Sequence, residues 1–171
     1  MSLRPATTAA LEAAGLDPDA IEALVTATVT EDLGGGVDVT SAATVPVDQR
    51  STLDLVARAT GVVAGIPVAA AVFDVVCDPD AEIEVVSADG TRVVRGDVLL
   101  TVTGRTQQLL TAERSALNLM CHLSGVATAT AAWADALEGS GTRVRDTRKT
   151  TPGLRVLEKY AVRCGGGVNH R

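Results

Sequence analysis

TRVRDTRKTTPGLRVLEKYAVRCGGG, residues 142–167, decides how the C-terminal part of this chain folds. Thr142 to Asp146 is a short β-type run, and Thr147 to Thr151 has the polar makeup of a loop. Pro152 then opens a helical stretch through about Val162, which Gly165-Gly166-Gly167 ends. Strand, loop and helix in that order form the repeating unit of a parallel α/β barrel or sheet, and about one unit is present. In such folds the carboxyl end of the strand faces the ligand crevice, which puts Arg148 and Lys149 there. Arginine offers a planar fork suited to carboxylate or phosphate, and lysine a compact charge. The adjacent pair suits an anion with more than one acidic group. A basic turn held in solvent is the competing reading, and charge pattern alone leaves both open.

Upstream, apolar residues recur from about Thr106 to Leu137 without a proline, which predicts helix, with Gly125 a point where the run could split in two. Before it the pattern is α+β. Residues 5–32 predict two short helices broken at Gly15 and restarted by the Asp17-Pro18 cap. The Glu31-Asp32-Leu33-Gly34-Gly35-Gly36 end leads through a loop to Val37–Ser41. Residues 52–60 alternate as a strand, and Gly65-Ile66-Pro67 opens an apolar helix to about Cys77. Glu82–Val86 and Val98–Val102 predict two more strands, with a tight turn at Asp89-Gly90.

The 171 residues carry a net charge of −6, unevenly spread. Residues 143–171 hold eight basic side chains against Asp146 and Glu158, or +6. The other 142 residues, with seven basic and nineteen acidic side chains, carry −12. Nucleic acid or an anionic lipid surface wants a basic face over a whole domain, so a local pocket for a small anion fits better. Aromatic residues make up 2%, too few for a base-stacking platform. The three cysteines, Cys77, Cys121 and Cys164, show neither a disulfide framework nor metal-ligand spacing. No signal-peptide pattern opens the chain and no stretch approaches a membrane span, so a cytoplasmic protein is expected, without nucleic-acid or membrane partners.

Two further groups carry chemistry. Arg163-Cys164-Gly165-Gly166-Gly167-Val168-Asn169-His170-Arg171 places three glycines, which permit close backbone approach to a ligand, just before a histidine and an arginine. Glu113-Arg114-Ser115-Ala116-Leu117-Asn118-Leu119 lies in the predicted helix, where Arg114 would ordinarily be exposed or salt-bridged.

Glu31-Asp32-Leu-Gly with Asp38-Val-Thr-Ser, ERSALNLMCHLSGVAT (113–128) and above all DTRKTTPGLRVLEKYAVRCGGGVNHR (146–171) resemble, in order, the signature segments of quinolinate phosphoribosyltransferases. That resemblance implies an α+β N-terminal domain over residues 1–118, an α/β sandwich of hammerhead-like form, followed over 119–171 by the start of an open α/β barrel. It implies a homodimer whose site lies between the barrel of one subunit and the small domain of its partner. Arg114 would be lent across the dimer to the substrate, while Thr147, Arg148, Lys149, His170 and Arg171 would line the barrel side, with Lys149 and His170 in catalytic roles. The implied reaction joins quinolinate to 5-phosphoribosyl 1-pyrophosphate with Mg²⁺, giving nicotinate mononucleotide, pyrophosphate and carbon dioxide for NAD biosynthesis. The family continues well past the Asn-His-Arg string, so the Mg²⁺ ligands are expected beyond Arg171 and the isolated 171 residues are expected to show no turnover. Two alternatives stand beside it. One is the related nicotinate phosphoribosyltransferase. The other is a non-catalytic carrier-like module, which would want a lysine on its tight turn, whereas Lys149 and Lys159 are the only lysines.

Overall fold

A computed structural model describes residues 3–77 and 79–170. The period-two pattern of the C-terminal half of β5 (Val98–Arg105) sends Leu100 and Val102 to one face and Thr101 and Thr103 to the other. β5 is the middle of a three-stranded antiparallel sheet between β1 (Arg50–Val56) and β3 (Glu82–Val85). The register puts Leu55 opposite Leu100, and Leu53 and Ile83 on either side of Val102, so one face is apolar. The opposite face is polar, with Thr101 Oγ1 donating to Asp54 Oδ1 at 2.7 Å and Thr52 paired with Thr103 at 2.9 Å. Such a one-sided sheet must be covered by helices on its apolar face.

That cover is built in layers. α4 (Ile66–Val76) is apolar except for Asp74, which pairs with Arg4 at 3.1 Å, and is almost wholly buried, as expected of a central helix. It packs between α5 (Thr106–Ala136) and α2 (Pro18–Leu33), with α1 (Pro5–Ala13) beside it. α2 begins where the Asp17-Pro18 signal placed it, the Asp17 carboxylate accepting from Asp19 N at 3.1 Å. Side chains of α5 also satisfy the short strand β2 (Gly61–Val62), which pairs with β4 (Arg92–Val93): Val62 N donates to Thr128 Oγ1 at 2.9 Å.

Several expectations need correction. α5 runs unbroken for 31 residues, and Gly125 does not split it. The loop expected around residues 37–41 contains a short helix, α3 (Val39–Thr44), capped by Asp38, which accepts from Ser41 N at 3.1 Å and Ser41 Oγ at 2.5 Å. The 52–60 strand is shifted to 50–56, where a bulge between Leu55 and Val56 ends the regular pairing. Thr142–Asp146 is reduced to a single parallel bridge between Arg145 and Val168. α6 (Arg155–Cys164) starts three residues after Pro152, because Gly153, at φ +82°, turns the chain through a conformation that no helix continues.

α6 buries Leu157, Tyr160 and Ala161 against α5. Its Tyr160 hydroxyl donates to Asp89 Oδ2 at 2.5 Å, and the same carboxylate accepts from Gly65 N at 2.8 Å and Ile66 N at 3.0 Å. One side chain thus closes the start of α4 and fastens the strand–loop–helix unit to the N-terminal α+β part. Burial, then the Asp89 charge, pushes the Tyr160 phenol far above its ordinary value, so it stays a donor.

Candidate functional site

Two stretches of backbone leave the protein side by side. Val168 N donates to Val144 O at 2.8 Å and Asp146 N donates to Val168 O at 3.0 Å, which makes 144–146 and 168 neighbouring parallel segments. Their carboxyl ends lead into Thr147-Arg148-Lys149 and Asn169-His170, so the two segments continue from neighbouring points of one edge. Thr147, Arg148 and Lys149 are exposed, and His170 is half-buried. Among the described residues neither Arg148 nor Lys149 forms an ion pair, so both cationic heads are open to an anion. Lys149 N donates to Thr147 Oγ1 at 3.0 Å, which curls the loop on itself. Arg171 lies outside the described residues.

Beneath this edge sits a buried acid. The Asp146 side chain is 3% exposed and uses both oxygens: Oδ2 accepts from Lys159 Nζ and from Asn169 Nδ2 at 3.0 Å, and Oδ1 accepts from His170 N at 2.6 Å. Burial works to raise its pKa, but these donors and the lysine charge outweigh it and hold the carboxyl below its ordinary 3.8. Asn169 is spent as well, donating to Lys159 O at 2.9 Å and accepting from Arg163 Nη1 at 2.9 Å. Arg163 in turn reaches Ala14 O at 2.6 Å. Asp146, Lys159, Asn169 and Arg163 support this edge and spacing did not reveal them, since their contacts form only when α6 folds back on the segments that flank it.

A second acid braces the loop from the helix side. Glu158 Oε1 is 2.9 Å from His122 Nε2 on α5, and Oε2 accepts from Thr151 N at 3.2 Å. Burial opposes ionisation here too, yet the Thr151 and His122 contacts keep Glu158 below its ordinary 4.5. A carboxyl with a lowered folded-state pKa stabilises the fold above its ordinary value and loses that contribution as the pH falls through the lowered one. The thermal midpoint is therefore expected to fall as pH drops below 4.5 and more steeply below 3.8. Melts of the native chain and of Glu158→Gln check this: the variant should start lower and lose less on acidification, and identical slopes would contradict the assignment.

The triple glycine was expected to let backbone approach a ligand, but it lets backbone approach α5. A Cβ at Gly165 would stand 2.3 Å from Ala127 O and 2.7 Å from Thr130 Cβ, and Gly166 turns at φ +81°. Cys164 beside it is pushed up to about 11, first by burial and then by the Asp89 charge, so it is no thiolate nucleophile at neutral pH.

Arg114 stands elsewhere. It lies on α5 with Nη1 3.0 Å from Asp32 Oδ1, and its side chain is 71% exposed. It lines a cavity of about 200 Å³ with Asp32, Asp38, Thr40 and Thr111, a cavity that Val37, Val39 and Leu110 border. The helix rise puts it about 12 Å along α5 from His122, where α6 attaches. The parallel bridge thus sets the Thr147–Lys149 and Asn169–His170 segments side by side and leaves Arg114 apart from them. A cavity of about 720 Å³ between β1 and α5 includes none of them. Its charged lining is Arg58 against Asp54 and Glu113, the wrong balance for a dianion.

Known proteins share this fold. The N-terminal domain family of quinolinate phosphoribosyl transferase matches residues 38–124, and the C-terminal domain family matches residues 126–171. The chain is 50% identical over 154 residues to the nicotinate-nucleotide pyrophosphorylase [carboxylating] of Mycobacterium leprae, covering 90% of this chain and 54% of that protein. It is 40% identical over 151 residues to quinolinate phosphoribosyltransferase [decarboxylating] 1b of Nicotiana tabacum, covering 88% and 42%. The crystal structure of NadC from Streptococcus pyogenes superposes with a TM-score of 0.86 at 41% identity, covering 91% of this chain and 55% of that one. The chain spans about half the length of the curated relatives it matches. The α+β part followed by the first strand–loop–helix unit of a barrel, and the matches across both of its segments, place this chain in the quinolinate phosphoribosyl transferase family.

Proposed function

We propose that this chain supplies the diacid-gripping part of a quinolinate phosphoribosyltransferase, the enzyme that forms nicotinate mononucleotide, pyrophosphate and carbon dioxide from quinolinate and 5-phosphoribosyl 1-pyrophosphate in NAD biosynthesis. The observation that carries this reading is the open cationic edge of Arg148 and Lys149 beside His170. Quinolinate bears two carboxylates on adjacent ring carbons, and two cations on one loop, neither in an ion pair among the described residues, match two anions better than one. Charge-assisted contacts of this kind contribute about 1.5–3 kcal/mol each. Thr147 adds a hydroxyl to the same edge, and Arg171 would extend it.

In this reading the residues hold the ring so that its nitrogen faces the anomeric carbon of the sugar. The nitrogen lone pair forms the new C–N bond while the C–O bond breaks and its electrons leave on pyrophosphate. The quaternary ring then draws in the electrons of the C2–carboxylate bond as carbon dioxide departs, and a proton fills C2. Lys149 and His170 are the groups placed to steady the carboxylates and manage that proton; no covalent nucleophile is used. Orientation and fixed charge supply most of the acceleration. The Mg²⁺ that the family reaction uses finds no fitting set here: no group of three or more ligating side chains occurs among the described residues, and both Asp146 oxygens are already taken.

Arg114 belongs to the same reading as the residue lent to the neighbouring copy of a homodimer. Its guanidinium is exposed, and Val37 and Val39 beside it are each 71% exposed, a pattern suited to a face that a second copy covers. A cytoplasmic setting belongs to the same reading and is supported by the free thiols of Cys121 and Cys164.

The test is conversion. A catalytically active protein carrying this sequence should release carbon dioxide and form nicotinate mononucleotide from quinolinate and 5-phosphoribosyl 1-pyrophosphate, and Arg148→Ala should lower kcat/KM by about 10² or more. Equal product from nicotinate, without carbon dioxide release, would assign the chain to a monoacid enzyme instead.

A further inference from the structure

We infer that Asp146 and Lys159, keyed by Asn169, form a positioning device that locks the Thr147–Lys149 and Asn169–His170 segments into one rigid edge and leaves that edge purely cationic. The inference rests on the proposed reading of the site and goes beyond it, because none of these three residues is assigned a contact with substrate.

Asp146 immediately precedes Thr147, Arg148 and Lys149, so an unneutralised carboxylate there would be the nearest anion to those cations and would compete with a dianionic ligand for them. The fold turns it inward instead. It is 3% exposed and meets Lys159 from α6, Asn169 Nδ2 and the His170 amide. Lys159, 21% exposed, also reaches His170 O at 3.5 Å, so one ammonium touches both segments.

Asn169 completes the lock. Its amide donates to Asp146 and to Lys159 O and accepts from Arg163, which leaves it no freedom to rotate. The backbone bridge at Val168 sets the two strand ends side by side, but it stops there. Beyond it these side chains tie the Asp146 end of the loop directly to Asn169 and His170, while Glu158 and Arg155 brace the loop only from α6. Arg148, Lys149 and His170, once protonated, would repel one another, so an edge that gathers them needs a device of this kind. Placement within a fraction of an ångström is what a charge-holding site requires.

The positions are tested in a catalytically active protein carrying this sequence, with Asp146→Asn and Lys159→Met. Each variant should raise KM for quinolinate about tenfold or more while KM for 5-phosphoribosyl 1-pyrophosphate stays within about threefold. Hydrogen exchange at the His170 amide should quicken about tenfold or more in Asp146→Asn. Unchanged KM values, with activity lost only in proportion to unfolded protein, would reduce the device to a brace of the fold and overturn the inference; an equal rise for both substrates would do the same. Lys159→Met, which keeps an unbranched stem in place, is read if Asp146→Asn does not fold. Should the native protein fail to convert quinolinate at all, the proposed function falls, and the exchange rate at His170 decides the device by itself.

Discussion

Gly165→Ala is expected to destabilise the protein by about 3 kcal/mol, at the upper end of what overpacking costs. For a chain of this size that lowers the thermal midpoint by roughly 6–12 °C. The cause is contact with backbone rather than with a side chain that could swing away: the added Cβ would lie 2.3 Å from Ala127 O and 2.7 Å from Thr130 Cβ. Relief requires the end of α6 to lift from α5. Such a shift would carry Val168, Asn169 and His170 with it, so loosening of the cationic edge should accompany the loss of stability. Gly125→Ala is the matched control. Gly125 is exposed inside α5 with no atom within 4 Å of an added Cβ, and alanine there should raise stability by about 0.5–1 kcal/mol. Thermal melts of the two variants against the native chain check both signs; a Gly165→Ala midpoint within about 2 °C of native would contradict the packing described for the triple glycine.

That glycine also shows where sequence reading reached and where it stopped. Three consecutive glycines announce a close approach, but the residues alone do not say to what, and the approach is to α5. Local signals were legible wherever a single segment carries its own instruction. Asp17-Pro18 starts α2, Ile66-Pro67 starts α4, and the alternation around Leu100 and Val102 gives β5. Boundaries shifted where a neighbour overruled the local pattern: α6 waits for Arg155 because Gly153 turns first, and α5 continues through Gly125 because helix formers flank it and nothing crowds it. α3 carried a readable cap in Asp38 and Ser41, hidden by its six-residue length.

The candidate site was half legible for a related reason. Arg148, Lys149 and His170 could be picked out because charge on a strand end is visible in one segment. Their support could not. Asp146 meets Asn169 across 23 residues, Glu158 meets His122 across 36, and Arg114 meets Asp32 across 82, so each partnership exists only after the chain has folded. The strings shared with the family pointed to the same residues and said nothing of what holds them.

If the proposed reading holds, Arg114→Ala and Arg148→Ala each remove one charge-assisted contact to the diacid and should each abolish most turnover, by about 10² or more in kcat/KM. Their mixture should not be inactive. In a dimer of one chain of each kind, the chain that keeps Arg148 receives Arg114 from its neighbour and has a complete site, while the other site lacks both. Random pairing makes about half of all dimers mixed, with one good site in two, so about a quarter of native activity should return. The most direct measurement is therefore the turnover of a catalytically active protein carrying this sequence when the two variants are co-expressed. Recovery to about a quarter is the result expected of cations on one copy completed by an arginine from the next. Activity that stays at the level of the single variants would contradict a site shared between copies.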